Sequence, residues 1–145
     1  MKKAIFFTTL IITFCTAFTL LHEPEKDIIG QWRIDDSSLE KTTNAIIEFT
    51  RKSNPDMAAQ MDERYEMVKD MIGGMSFEYK ADHTYEIVTP QGPQKGKWSF
   101  LDENKFLLYT REGRPDRKDE VLEITASRLR LVNGERGDTT LFVRP

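Results

Sequence analysis

Cysteine and histidine are scarce in this 145-residue chain. Cys15 is the only cysteine, and the two histidines are His22 and His83. Because Cys15 lies in an N-terminal apolar run, the rest of the chain has no disulfide, thiolate metal site or cysteine nucleophile. Two isolated histidines also cannot complete a catalytic triad or a metal-ligand pattern. We therefore expect a protein that is not an enzyme and has no metal or cofactor.

Basic charge is also limited. The formal charge is −3, whereas proteins that bind nucleic acids usually carry a basic face. One basic cluster is present, on the longest predicted loop: Arg111, Arg114, Arg117 and Lys118. Since acidic residues alternate with this cluster, we interpret it as a solvated loop tip, with an anion or partner contact as the alternative. The acidic residues at 23–27 are interpreted as a solvated linker, and no nucleic-acid partner is predicted.

Apolar residues form only one long run, and it is N-terminal. Lys2 and Lys3 precede an uncharged segment over 4–21, which is typical of an export signal. Small residues at −3 and −1 favour cleavage before Leu20, with a rival site after Ala17. We predict a signal peptide over 1–21 and a mature domain over 22–145. Export without disulfides favours a bacterial periplasmic or secreted protein.

Two other fates of this leader stay open. An uncleaved anchor is the main alternative, because about 18 apolar residues nearly span a bilayer, and the leader would then be the membrane contact. Acylation of Cys15 is disfavoured because the large Phe14 precedes it.

Helical periodicity begins after a first predicted strand over 28–34. Ser37 and Glu40 have the spacing of a capping box for a first helix, which ends near Ser53. Asn54 followed by Pro55 predicts the start of a second helix. One face of that helix carries apolar residues at helical spacing, and Gly73–Gly74 ends it: Met57, Met61, Tyr65, Val68 and Ile72.

Short alternating segments follow the helices, separated by turn residues. Their spacing predicts seven antiparallel strands in meander order: 75–79, 85–88, 97–100, 105–110, 121–125, 128–132 and 140–144. With the first strand they make eight, and closing the sheet removes its open edges. We therefore predict a mainly β, eight-stranded up-and-down barrel with a two-helix insertion between strands one and two. A two-layer sandwich is the alternative.

Gly30 and Trp32 in the first strand resemble the G-x-W motif of the lipocalins, in particular of small bacterial lipocalin-like domains that follow an export signal. The segments 81–85 and 96–100 are similar to the middle hairpins of those domains. The resemblance implies that the tryptophan lies across the closed end of the barrel, where a basic residue from the last strand packs on it. Arg144 is the first choice for that residue and Arg130 the second. The helical insertion is placed like the lid of fatty-acid-binding proteins.

A ligand pocket is predicted beneath this insertion. Alternation points seven aromatic residues inward, so a cavity is expected to be small and to lie under the helices: Trp32, Phe77, Tyr79, Tyr85, Trp98, Phe100 and Phe106. The candidate pocket and lid residues are Met57, Met61, Tyr65, Met71, Tyr79, Tyr85, Trp98, Phe100 and Phe106. Methionines suit adaptable apolar surfaces, although ordinary packing explains this seam as well.

The predicted function is reversible binding of a small apolar or amphipathic ligand. The alternative is a filled barrel that contacts a protein partner of the cell envelope.

Overall fold

The computed structural model describes residues 23–145. The predicted leader, its cleavage sites and Cys15 lie outside the described residues. Within them, the strands are β1 (Gly30–Ile34), β2 (Ser76–Tyr79), β3 (Thr84–Thr89), β4 (Gly92–Leu101), β5 (Phe106–Arg111), β6 (Arg117–Ile124), β7 (Arg128–Val132) and β8 (Thr139–Val143). The helices are α1 (Pro24–Ile28), α2 (Asp36–Ser53), α3 (Pro55–Glu63) and α4 (Tyr65–Gly73).

The eight strands close into an antiparallel barrel in chain order. Each strand pairs with the next, and the seam joins β1 to β8, with Arg33 opposite Val143 and Ile34 opposite Phe142. Closure leaves no open sheet edge. The predicted mainly β barrel with a helical insertion between its first two strands is confirmed, and the sandwich alternative is wrong.

The two ends of the barrel are covered differently. Helices α2, α3 and α4 connect β1 to β2, and α2 packs against β8 while α4 packs against β1. In this up-and-down order, the β3–β4, β5–β6 and β7–β8 connections lie at the same mouth, which we call the helical end. The opposite mouth, which we call the plugged end, holds α1 and the other three turns.

Local side-chain chemistry sets where the helices begin. Asp35 caps α2, and its Oδ1 accepts a hydrogen bond from the Ser37 backbone N–H at 3.0 Å. The predicted capping box between Ser37 and Glu40 is therefore wrong, because the N-cap is Asp35, two residues before Ser37. The predicted start of the next helix is confirmed, since Asn54 Oδ1 accepts from the Met57 N–H at 3.1 Å.

Two helix predictions need correction. The second helix is divided at Arg64 (φ −120°, ψ 32°), so that α3 packs on α2 while α4 also reaches β1. The acidic segment before β1 was expected to be a solvated linker. Residues 24–28 instead form α1, and its last residue, Ile28, is fully buried in the barrel core. Within residues 23–145, no helix is both long and apolar enough to cross a membrane.

The apolar core has two parts. The main cluster fills the barrel from the plugged end: Ile28, Trp32, Tyr79, Tyr85, Trp98, Leu107, Tyr109, Ile124, Leu129 and Leu131. A second cluster joins the barrel rim to the helices around Ile34, Val68 and Ile72. The space between these clusters contains the candidate site.

Candidate functional site

A cavity of about 150 Å³ lies inside the barrel at the helical end. Thr42 and Ile46 of α2 and Ile72 of α4 form part of its lining, so the helical insertion covers it. Gln94 of β4 also lines the cavity and is itself exposed. The cavity therefore reaches the surface beside the β3–β4 hairpin.

The four predicted lid residues do not line this cavity. Met57 is 51% exposed on α3, and Met61 packs into the second cluster. Met71 and Tyr65 are half-buried on α4, and the Tyr65 hydroxyl is a buried group without a hydrogen-bond partner in the described residues. The helices cover the mouth, but with residues other than those chosen from the methionine pattern.

Among the predicted wall aromatics, Tyr79 lines the cavity. Tyr85 and Trp98 are buried in the main cluster, and Phe100 packs against that cluster. The Trp98 indole N–H donates to the Lys80 carbonyl at 3.2 Å, which holds this ring toward the plugged end. These three aromatics therefore fill the barrel beneath the cavity.

The inward orientation predicted for Phe106 is wrong. In the β4–β5 register, Trp98 lies opposite Tyr109 and Phe100 opposite Leu107, so the odd-numbered residues of β5 face inward. Phe106 is on the outer face, where the Lys118 Nζ lies 4.2 Å from its ring centroid. A one-residue shift in parity moves every side chain of a strand to the other face.

The charged part of the cavity wall comes from β6. Arg117 and Asp119 both line the cavity, and Arg117 Nε lies 3.1 Å from Asp119 Oδ1. The Arg117 guanidinium also covers the Tyr109 ring, with Cζ 4.3 Å from the ring centroid. Their side chains are only 17% and 3% exposed. A buried ion pair of this kind is held in a site with little solvent screening.

Burial and mutual attraction set the charge states of this pair. Burial raises the pKa of the Asp119 carboxyl, and attraction to Arg117 and the Gly134 N–H offset this effect only in part. Burial opposes the charge on Arg117, but Tyr109 and Asp119 outweigh it and hold the Arg117 pKa above its ordinary value. The guanidinium therefore remains a positive group inside the barrel.

Two tyrosine hydroxyls meet beside Arg117. The oxygens of Tyr79 and Tyr109 are 2.6 Å apart in a buried hydrogen bond. Burial raises the pKa of both phenols well above the ordinary value, so both remain protonated. One hydroxyl donates to the other, and the proton of the accepting hydroxyl is available for a second hydrogen bond.

The β7–β8 connection completes the polar wall. Its Gly134 N–H donates to Asp119 Oδ1 at 2.9 Å, and a Cβ at Gly134 would collide with the Lys118 carbonyl oxygen. Glycine is thus needed for this close approach. Arg136 lines the cavity and is held by Asp138 through contacts of 2.8 and 3.2 Å.

Sequence reasoning missed most of the polar wall. The basic cluster was expected to be a solvated tip, but Arg117 belongs to β6 and points inward with Asp119. The alternation of Arg117, Asp119 and Val121 could have indicated a strand that begins at Arg117. This alternation ends at a register shift between Val121 and Glu123, before the buried Ile124, so the full length of β6 was not recognised from the sequence.

The plugged end has the geometry of the predicted glycine, tryptophan and arginine group. Trp32 is fully buried, and the Arg144 guanidinium lies 3.7 Å from its ring centroid. Gly30 has φ +115°, and a Cβ there would lie 2.8 Å from Arg144 Nη1. Arg130 lies elsewhere, 2.6 Å from Glu123. These residues close the barrel opposite the cavity.

Within the described residues, no group of three or more His, Cys, Asp or Glu side chains is arranged to hold a metal ion. The cavity combines an apolar side with a guanidinium, a carboxylate and two phenols.

The fold is similar to that of a solved structure, the crystal structure of a DUF4847 family protein from Bacteroides vulgatus. The similarity covers 83% of this chain and 96% of that chain, with a TM-score of 0.51 and 17% sequence identity. No protein-family model matches the chain, and no match was found among curated proteins. At this identity the similarity supports the fold alone, since one fold serves many functions.

Proposed function

We propose that the protein is an exported, lipocalin-like binding protein that is not an enzyme and holds a small apolar or amphipathic ligand beneath α2 and α4. The cavity is the observation that carries this proposal. Side chains can fill an eight-stranded barrel completely, yet about 150 Å³ stays open here. Burying about 200 Å² of ligand surface at ~25 cal/mol per Å² gives a gross gain near 5 kcal/mol before association costs.

The lipocalin-like part of the proposal is supported by the plugged end. Gly30 and Trp32 lie in the first strand of an up-and-down barrel, and Arg144 stacks on the tryptophan. The arrangement leaves the helical end as the side on which a ligand enters.

Export is supported by the basic and apolar pattern of residues 1–21. Intact-mass measurement of the protein recovered from the periplasm or medium tests it. A mass that begins near Leu20 supports cleavage, whereas a full-length or acylated mass supports an anchor or a lipoprotein.

Uptake of benzene by residues 22–145, followed by protein NMR shifts, tests the binding function. Leu131 lines the cavity and is 3% exposed, whereas Leu122 is 49% exposed on β6. We expect saturable binding that Leu131→Phe abolishes and that the matched Leu122→Phe leaves unchanged. Ile46→Phe obstructs the cavity from the helix side if Leu131→Phe does not fold.

Absence of benzene uptake by the folded wild-type protein would remove the binding function. The remaining candidate would be the envelope interaction module, which is favoured by the apolar side chains exposed on the helices. Phe49, Met57 and Met67 are 42%, 51% and 58% exposed, respectively.

A further inference from the structure

The cavity lining has an apolar wall and a polar wall. The apolar wall comes mostly from β1, β2, β8, the helices and the α4–β2 connection: Ile34, Ile46, Ile72, Met75, Phe77 and Phe142. The polar wall comes mainly from β5, β6 and the β7–β8 connection: Tyr109, Arg117, Asp119, Asn133 and Arg136. Strands β5 and β6 lie across the barrel from β1 and β2. A ligand that contacts both walls therefore needs an apolar body and one polar group.

Arg117 is the cation best placed to hold that polar group. Arg136 makes two hydrogen bonds to Asp138. In contrast, Arg117 Nε is buried without a hydrogen-bond partner in the described residues, and Asp119 Oδ1 is an ion-pair contact at 3.1 Å. A buried donor of this kind calls for an acceptor, and a guanidinium matches a carboxylate through paired hydrogen bonds.

The tyrosine pair adds a neutral donor, because the Tyr79 hydroxyl of β2 reaches across the barrel to that of Tyr109 on β5. Tyr79 and Tyr109 share one hydrogen bond of 2.6 Å, which uses one of their two protons. The second proton can be donated to an acceptor in the cavity. Arg117 Cζ lies 4.3 Å from the centroid of the Tyr109 ring, so the guanidinium and this phenol are neighbours in the cavity lining.

The size of the cavity limits the apolar body. A cavity of about 150 Å³ is the size that holds a benzene molecule in a protein core, and this cavity has the same volume. A long acyl chain does not fit unless the helices move.

We propose that the ligand is a small monocarboxylic acid with an apolar body of about benzene size, bound with its carboxylate against Arg117 and the Tyr79–Tyr109 pair. This proposal rests on the proposed binding function. Its apolar body lies toward α2 and α4, and the β3–β4 hairpin beside Gln94 gives access.

The test uses benzoate, its neutral analogue benzamide, benzene and acetate with ¹⁵N-labelled protein. We expect benzoate to bind at least tenfold more tightly than benzamide or acetate, since hydrogen bonds to charged groups are the stronger ones. Benzoate is also expected to move the Arg117 Nε–H resonance, whereas that of Arg144 at the plugged end stays in place. Palmitate is expected not to compete.

A double variant, Arg117→Met with Asp119→Asn, removes both charges and keeps an acceptor for the Gly134 N–H. It should lose benzoate binding at least tenfold and retain benzene binding, while Arg130→Met binds both as the wild type does. Equal affinity for benzoate and benzamide, or retention of benzoate by the double variant, would overturn the carboxylate proposal while benzene binding still stands. If neither benzene nor benzoate binds, the binding function itself fails.

Discussion

Arg144 is expected to stabilise the plugged end of the barrel by connecting several segments of the chain. Its Nη2, Nε and Nη1 donate to the carbonyls of Asp27, Ala126 and Gln31 at 2.6, 3.0 and 3.1 Å. These carbonyls belong to α1, the β6–β7 turn and β1. One side chain from the end of the last strand therefore joins three segments.

The Arg144→Met variant keeps an unbranched side chain over Trp32 but removes the charge and the donors. Three hydrogen bonds at about 1 kcal/mol each and a cation–π contact of about 0.5–1 kcal/mol give a gross loss near 4 kcal/mol. Because water can reach part of this group, we expect a net loss of about 2 kcal/mol in the free energy of unfolding.

Urea unfolding followed by circular dichroism measures this loss. The slope of the unfolding free energy against urea concentration should be the same in the variant and the wild type. Arg130→Met is the matched control, since Arg130 pairs with Glu123 at the surface and its side chain is 45% exposed. A surface pair of this kind contributes about 0–1 kcal/mol. Equal losses in the two variants would refute the assignment of a closing role to Arg144.

Two further predictions concern helix and loop geometry. Hydrogen bonds from the Ser37 side chain and backbone hold the pKa of Asp35 below its usual value, so its stabilising effect is present at neutral pH and lost as the pH falls through the folded-state pKa. Asp35→Ala is therefore expected to lower the free energy of unfolding by about 1 kcal/mol at pH 7. In urea titrations, the difference in unfolding free energy between this variant and the wild type should decrease below about pH 4. Gly134→Ala should destabilise the barrel by more than about 2 kcal/mol because its Cβ meets the Lys118 carbonyl, whereas Gly113→Ala, with nothing near its Cβ, should cost about 1 kcal/mol in the same assay.

Much of the architecture could be predicted because it depends on local patterns. Alternation and turn residues mark the strands, and Asn54 with Pro55 marks the start of α3. The break at Arg64 has no glycine or proline to signal it. It follows from α4 packing on both α2 and β1, which is a tertiary effect.

The candidate site was far less predictable than the fold. Arginine and aspartate near a loop usually lie in solvent, so Arg117 and Asp119 gave little sign of facing the interior. Their burial depends on each other and on Gly134, fifteen residues beyond Asp119 in the chain. The methionine pattern misled in the other direction, because Met57, Met61 and Met71 were predicted to form the lid but none of them lines the cavity.

Placing an ion pair in the barrel is expected to reduce stability relative to a neutral interior, which is why its presence supports a binding role. Asp119 is more deeply buried than Arg117, so Arg117→Met should cost about 3 kcal/mol by leaving an unpaired buried carboxylate, and Asp119→Asn should cost less. The double variant should lie within about 1 kcal/mol of the wild type in a urea double-mutant cycle.

The same cycle has a pH dependence with a defined sign. Burial raises the folded-state pKa of Asp119 above its unfolded value, so the ionised carboxylate is a penalty that disappears as the pH falls through the folded-state pKa. Removing the positive charge of Arg117 raises that pKa further. The deficit of Arg117→Met should therefore shrink on acidification. The double variant has no carboxyl at position 119, so it should fall further behind the wild type as the wild-type Asp119 becomes protonated. Additive losses, or a deficit of Arg117→Met that grows in acid, would contradict a buried carboxylate that depends on Arg117 for its charge.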